Sequence, residues 1–230
     1  MAWPKVKSHV LDLADSLDAL LATIQDRLDR NDRNLCLFNL GARAMHEVRR
    51  VAQALEGDIE DSAWRVRNLH EIDLTLRYIL QSDEHLAEWT GQMLTDEKDV
   101  VEGFMTLAAK LSPRDRARLE ERLARIRETS TRLGLEMRRP WLMRNLAKAT
   151  NREREYQMFY KFFSKFVHPS AWLVNGRWER TGGPTYRNLI VGLTQGLCRR
   201  IYGLLFDEYR LDERDIVPGS HSRPWVPESE

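Results

Sequence analysis

Two short constellations in this chain combine residue types that can handle protons and anions. The first is Arg65, Arg67, His70 and Glu71, within the stretch SAWRVRNLHEIDLTLRYIL. Arg67 and Glu71 stand four apart, the spacing at which opposite charges pair along one helix face. The stretch around them is otherwise apolar, so one of these charges is expected to be partly buried, and a buried charge requires a partner. The second is Tyr160, Ser164 and His168, spaced four and four in YKFFSKFVHPSAWL, which places all three on one helical stripe. His168 falls at the predicted helix end, where the helix dipole favours a cation. Two readings of it stand side by side. It caps the last carbonyls and packs under the following loop, or it faces a cleft as a general acid/base or anion-binding group.

A third feature is the basic run from Arg114 to Arg139, interleaved with Glu120, Glu121, Glu128 and Glu136. Such a run reads first as a solvated, ion-paired helix face and second as a phosphate contact. The aromatic residues Phe162, Phe163, Trp172 and Trp178 read as packing rather than as base-stacking platforms.

Several chemistries have no support in the residues. Neither a GxxxxGK[ST] loop nor a GxGxxG turn is present to cradle a phosphate. No HExxH pair occurs, and none of the six histidines has Glu three positions before it, as a di-metal helical bundle requires. Cys36 and Cys198 stand alone in apolar patterns and read as small buried hydrophobes. The expectation is therefore a site without metal or cofactor. The balance of 36 Lys plus Arg against 35 Asp plus Glu offers no global bias toward nucleic acid, although local patches stay open. The opening stretch has aspartates through its apolar pattern, unlike a secretory leader, and no run approaches the roughly 20 apolar residues of a membrane span. A cytoplasmic protein with no membrane contact is expected.

The elements that would position these residues are helices, because apolar spacing of three and four dominates. Periodicity and caps predict helices over about 6–28, 34–55, 61–81, 82–110, 113–134, a short one after Pro140, then 152–167 and 185–209. Ser112-Pro113 with Asp115 is a strong helix start, and an interruption is expected near Thr95. Asn175-Gly176 predicts a small hairpin over 172–179. The expected fold is an all-α single-domain bundle of about seven or eight helices over 1–215, followed by a flexible Pro/Ser-rich tail over 216–230.

Taken together, the two constellations resemble a prokaryotic all-helical family known only as a domain of unknown function. Its features are an R-x-x-x-E helix and a later Y-x-x-x-S-x-x-x-H-P-S segment. The resemblance assigns Arg67, Glu71 and His168 as candidate catalytic residues and Tyr160, Ser164 and Ser170 as candidate binding residues. A looser likeness to HEPN proteins, many of them RNases of defence and toxin–antitoxin systems, rests on the Arg65 to His70 spacing. That likeness implies a defence-associated or regulatory protein acting on RNA or a nucleotide, by metal-independent chemistry if it is an enzyme. The alternative is a non-catalytic helical module that binds a protein partner or forms a homo-oligomer. The pocket expected from both constellations sets the Arg67/Glu71 helix against the Ser164/His168 helix end.

Overall fold

The structure is a computed structural model that describes residues 3–107, 110–168, 170–175 and 183–223. Among them no strand occurs, and the helices are α1 (Trp3–Arg27), α2 (Asp32–Ala54), α3 (Ile59–Ile79), α4 (Asp83–Met105), α5 (Pro113–Leu133), α6 (Met143–Ala149), α7 (Glu153–Val167), α8 (Ala171–Asn175) and α9 (Pro184–Glu208). A single 3₁₀ turn, Glu213–Asp215, follows. The all-α class expected from periodicity is what the chain adopts.

Local chemistry explains the helix starts. The side chains of Asn31, Ser82 and Ser112 each accept from a backbone N–H three residues on, satisfying an amide that the first turn leaves free. α4 runs uninterrupted through Thr95, whose hydroxyl donates back to the Gly91 carbonyl at 3.3 Å. The first arm of the predicted hairpin is instead α8: Ser170 Oγ accepts from Leu173 N at 3.2 Å and opens a helical turn over Ala171–Asn175. Residues 176–179 of that hairpin, with Trp178, lie outside the described residues.

The chain divides into two compact units, 1–77 with 147–230, and 78–146. In the first unit α1, α2 and α9 pack pairwise. Val10, Leu17, Leu21 and Ile24 of α1 meet Leu37, Val48 and Val51 of α2 and Ile190, Leu197, Ile201 and Leu205 of α9, all buried. Each large aliphatic side chain so buried contributes about 1.5–3 kcal/mol. The packing is close enough that a Cβ at Gly41 would lie 2.8 Å from both Leu21 and Leu205. Arg187 of α9 donates to the Leu55 and Gly57 carbonyls at 2.5 and 2.8 Å, satisfying the open end of α2. After the 3₁₀ turn the chain returns to α1. Buried Asp18 accepts from Ser222 N at 3.0 Å, Ser222 Oγ at 2.6 Å and Arg49 at 2.9 Å, with His221 Nδ1 also 2.9 Å away. Burial works against the charged carboxylate, but these bonds outweigh it and hold Asp18 down to about 2.

The second unit is built on α4 and α5, packed through Leu94, Val101 and Ile126. The segment after α5 lies so close to α4 that a Cβ at Gly91 would meet the Glu136 carbonyl oxygen at 2.1 Å. Trp141 anchors it further, donating from its backbone N to Gln92 at 3.0 Å and from its indole to Glu88 at 3.1 Å.

α9 is long and apolar enough to cross a membrane by length and composition, and it is the helix among the described residues that passes this test. Its apolar side is spent on the first unit's core, where seven of its residues are buried.

Candidate functional site

The residues singled out from sequence fall on two helices of the first unit. Arg67 and Glu71 of α3 pair with each other, Nε to Oε1 at 2.9 Å, both about one-third exposed. On α7, Tyr160 is exposed with its ring 5.9 Å from that of Tyr156, and the Ser164 hydroxyl donates to the Lys161 carbonyl at 3.3 Å. His168 is exposed and ends α7 in extended backbone. The Ser170 hydroxyl donates to the Lys165 carbonyl at 3.0 Å, tying the end of α7 to the start of α8. Among the described residues no hydrogen bond or ion pair joins His168 to Arg67, Glu71 or Ser164. Arg65 and His70, five apart, project about 140° from each other on α3. Arg65 turns to Glu47 of α2 at 3.5 Å and to Asp61 at 3.0 Å, whereas His70 turns to α7.

That inward face of α7 holds a buried charge network. The fork of Arg200, from α9, grips Glu155 with two bonds of 2.8 and 2.6 Å, and its Nη2 lies 3.2 Å from Asp73 Oδ2 on α3. Arg77 donates to the other Asp73 oxygen at 3.2 Å, and Arg152 reaches Glu155 at 3.4 Å. His70 stacks on Phe159, ring centroids 4.1 Å apart, with Nε2 3.5 Å from Glu155. Burial pushes the His70 imidazole down to about 4, so it is neutral near pH 7. Burial raises Asp73, against the pull of Arg200 and Arg77. Glu155 is also penalised by burial, yet the Arg200 bonds bring it below its ordinary range. His70 Nε2, Asp73 Oδ2 and Arg200 Nε remain without a hydrogen bond among the described residues. A small cleft of about 200 Å³, bordered by Glu155, Arg200, Gly192 and Gly196, opens beside this network.

The outward face of α7 is different. At 100° per residue, Arg154, Lys161 and Lys165 share one stripe, roughly opposite His70's contact Phe159. They line an open groove of about 590 Å³ with Gln157, Met158, Phe162, Phe166, Trp172 of α8 and Tyr186 of α9. Phe162, Trp172 and Tyr186 are half-buried, and the Trp172 and Tyr186 rings meet edge to face at 5.7 Å. Among the described residues no carboxylate lines the groove and its three cations form no ion pair.

The model of a family of unknown function, DUF5677, matches residues 51–183, more than half of the chain. The chain belongs to the DUF5677 family. Among curated proteins and among solved structures, none matches it. The DUF5677 stretch covers α3 through α8, and with them Arg67, Glu71, Tyr160, Ser164, His168 and Ser170. It also covers His70, Asp73 and Glu155 of the buried network and all of the groove except Tyr186. Arg200 lies outside it.

Sequence reasoning missed Asp73, Glu155 and Arg200 as a unit, and missed the groove. A signal existed for Asp73, a lone carboxylate in the apolar run Ile72 to Ile79. For Arg154, Lys161 and Lys165 the signal was their shared stripe. Among the described residues, no group of three or more His, Cys, Asp and Glu side chains could hold a metal ion.

Proposed function

We propose that this DUF5677 protein acts on RNA, holding it in the outer groove of α7. The observation that supports the reading is the set of cations Arg154, Lys161 and Lys165, without carboxylate partners among the described residues, beside the half-buried rings of Phe162, Trp172 and Tyr186. Unpaired cations on a neutral chain are suited to phosphate, and aromatic rings beside them are suited to a nucleobase, whose π-face stacks without regard to sequence. The buried network is a poor competitor for the role, because Arg200 is already committed to Glu155 and Asp73.

His168 ends the helix that bears the groove cations, three residues past Lys165, and its imidazole is a group that can accept or donate a proton. As general base it takes the proton of a ribose 2′-hydroxyl as that oxygen attacks the adjacent phosphorus. The bond to the 5′-oxygen breaks, the leaving oxygen takes a proton from water, and His168 passes the one it took to solvent, giving a 2′,3′-cyclic phosphate and a free 5′-hydroxyl. Arg67 serves as the phosphate clamp once its pairing with Glu71 yields.

The test is anisotropy of a fluorescein-labelled 12-nucleotide RNA against wild type and the Lys161→Glu/Lys165→Glu double variant. A separate incubation follows the RNA in EDTA with wild type and His168→Ala. Loss of at least tenfold in affinity in the double variant supports the groove. Equal binding by the two proteins, or none by wild type, sinks it. Cleavage that persists in EDTA and disappears in His168→Ala supports the chemistry.

A second reading has its own observation. On α4 the residues Met93, Val100 and Phe104, all more than half exposed, share one apolar stripe of the second unit, and Leu107, just past the helix end, is exposed likewise. An interaction module that captures a protein partner or another copy would use such a stripe.

A further inference from the structure

The groove has a length as well as a charge. Arg154, Lys161 and Lys165 lie seven and four residues apart on a straight helix, so their Cα positions are separated along the axis by roughly 10 and 6 Å, about 16 Å in all. The rings are gathered toward the Lys165 end: Trp172 lies 5.5 Å from Phe166, and Tyr186 stands 6.1 Å from Phe162. One end of the groove is therefore aromatic and cationic, whereas the other, at Arg154, is cationic and flanked by the flexible chains of Gln157 and Met158.

A mononucleotide keeps its phosphates on one side of one base. It could occupy the aromatic end with Lys161 and Lys165 but would leave Arg154 unused. A stacked strand advances about 3.4 Å per nucleotide, so 16 Å corresponds to about four or five nucleotides, and fewer if the strand is drawn out. We infer that the ligand of this groove is a single-stranded RNA segment of about four nucleotides, with one base held at Trp172 and Tyr186 and the phosphates running back along α7 to Arg154; this rests on the RNA reading of the same groove. Because the lining offers cations and ring faces but few fixed hydrogen-bonding groups, selection among the four bases is weak.

The span has a thermodynamic signature. For single strands the logarithm of the binding constant falls against log salt with a slope of about −0.7 per neutralised phosphate, so three cations give about −2. Removal of Arg154 alone should bring the slope to about −1.4, and should matter only for ligands long enough to reach it.

The experiment is competition against a fluorescein-labelled eight-nucleotide oligouridine, using AMP, ATP and unlabelled oligouridines of two, four, six and eight nucleotides, over a range of potassium chloride. Wild type, Arg154→Ala and Trp172→Ala are compared, each shown by circular dichroism to retain its helix content. The expected result is affinity that climbs from two to four nucleotides and then levels, with a salt slope near −2. Arg154→Ala should weaken the tetramer several-fold and leave the dinucleotide unchanged. Trp172→Ala should weaken every oligonucleotide by roughly 5- to 150-fold, the measured range for losing one stacked base. AMP or ATP competing as well as the tetramer overturns the four-nucleotide span while leaving an anionic, ring-bearing ligand in place. Affinity still rising between six and eight nucleotides also overturns it. Failure of the labelled strand to bind at all removes the RNA reading itself, and the inference with it.

Discussion

Helix α7 shows two faces whose charges have opposite fates. Inward, Glu155 is surrounded by Arg200, Arg152 and His70, and the Arg200 fork also engages Asp73. Outward, Arg154, Lys161 and Lys165 meet no carboxylate among the described residues. The inner charges are consumed by one another, because a charge taken out of water is tolerable only when paired. The outer charges have no such requirement, since water solvates them, and so they stay available to a ligand. The two faces diverge within one step of the chain: Glu155, next to Arg154, projects about 100° away from it and pairs with Arg200.

The sharpest way to break this comparison is to remove the inner cation. Arg200→Met leaves Glu155 and Asp73 facing each other in a buried space with Arg77 and Arg152 as their remaining partners. Truncating one member of a buried ion pair typically costs about 3–5 kcal/mol, so a substantially lower urea midpoint is expected. The outer double variant Lys161→Glu/Lys165→Glu should stay within about 0.5 kcal/mol of wild type, as solvated surface positions do. If Arg200→Met were as stable as the outer variant, the inner network would not be what fixes α3, α7 and α9 together.

A smaller effect comes from pH. His70 has an ordinary value of 6.5 and is pushed down to about 4 by burial, helped by Arg200 and opposed by Glu155. Its folded value lies below its unfolded one, so between pH 6.5 and 4 the unfolded chain binds more protons and stability falls as the medium is acidified. The full shift corresponds to at most about 3 kcal/mol, lost progressively across that window. Glu155, itself lowered, adds loss below its ordinary 4.5 as it protonates, and Asp73, which burial raises, works in the opposite direction above its ordinary 3.8. His70→Phe preserves the stacking surface toward Phe159 and removes the proton. Its stability should therefore be flatter than that of wild type between pH 6.5 and 4. An equally steep curve in the variant would assign the acid sensitivity to other groups.

How far these features were legible follows from what each depends on. Helices α2, α4 and α5 were readable because Asn31, Ser82 and Ser112 act on amides three residues away, a local matter. α8 was not, because five residues are too few to display a period and Asn175-Gly176 invites a turn. The sequence reading expected a partly buried charge on α3, but it could not tell that His70 and Asp73 rather than Arg67 and Glu71 turn inward. The choice between Arg199 and Arg200 likewise depends on the angle at which α9 meets the core. The groove was half legible: the stripe of Arg154, Lys161 and Lys165 follows from spacing, but Trp172 and Tyr186 come from other helices.

The smallest effect concerns the pair that first drew notice. Arg67 and Glu71 bond across one helical turn with both side chains about one-third exposed, a geometry worth about 0.2–0.5 kcal/mol. Arg67→Ala should therefore hardly alter stability, and that makes it a clean probe. If Arg67 only holds Glu71, the variant binds RNA as wild type does and its cleavage is unchanged. If Arg67 leaves Glu71 to clamp a phosphate as the strand reacts, then binding is again little changed while the rate of cleavage drops, because the contact forms only as charge develops. Glu71→Gln separates the two further. Freeing Arg67 from its carboxylate raises the rate in the second case and does nothing in the first.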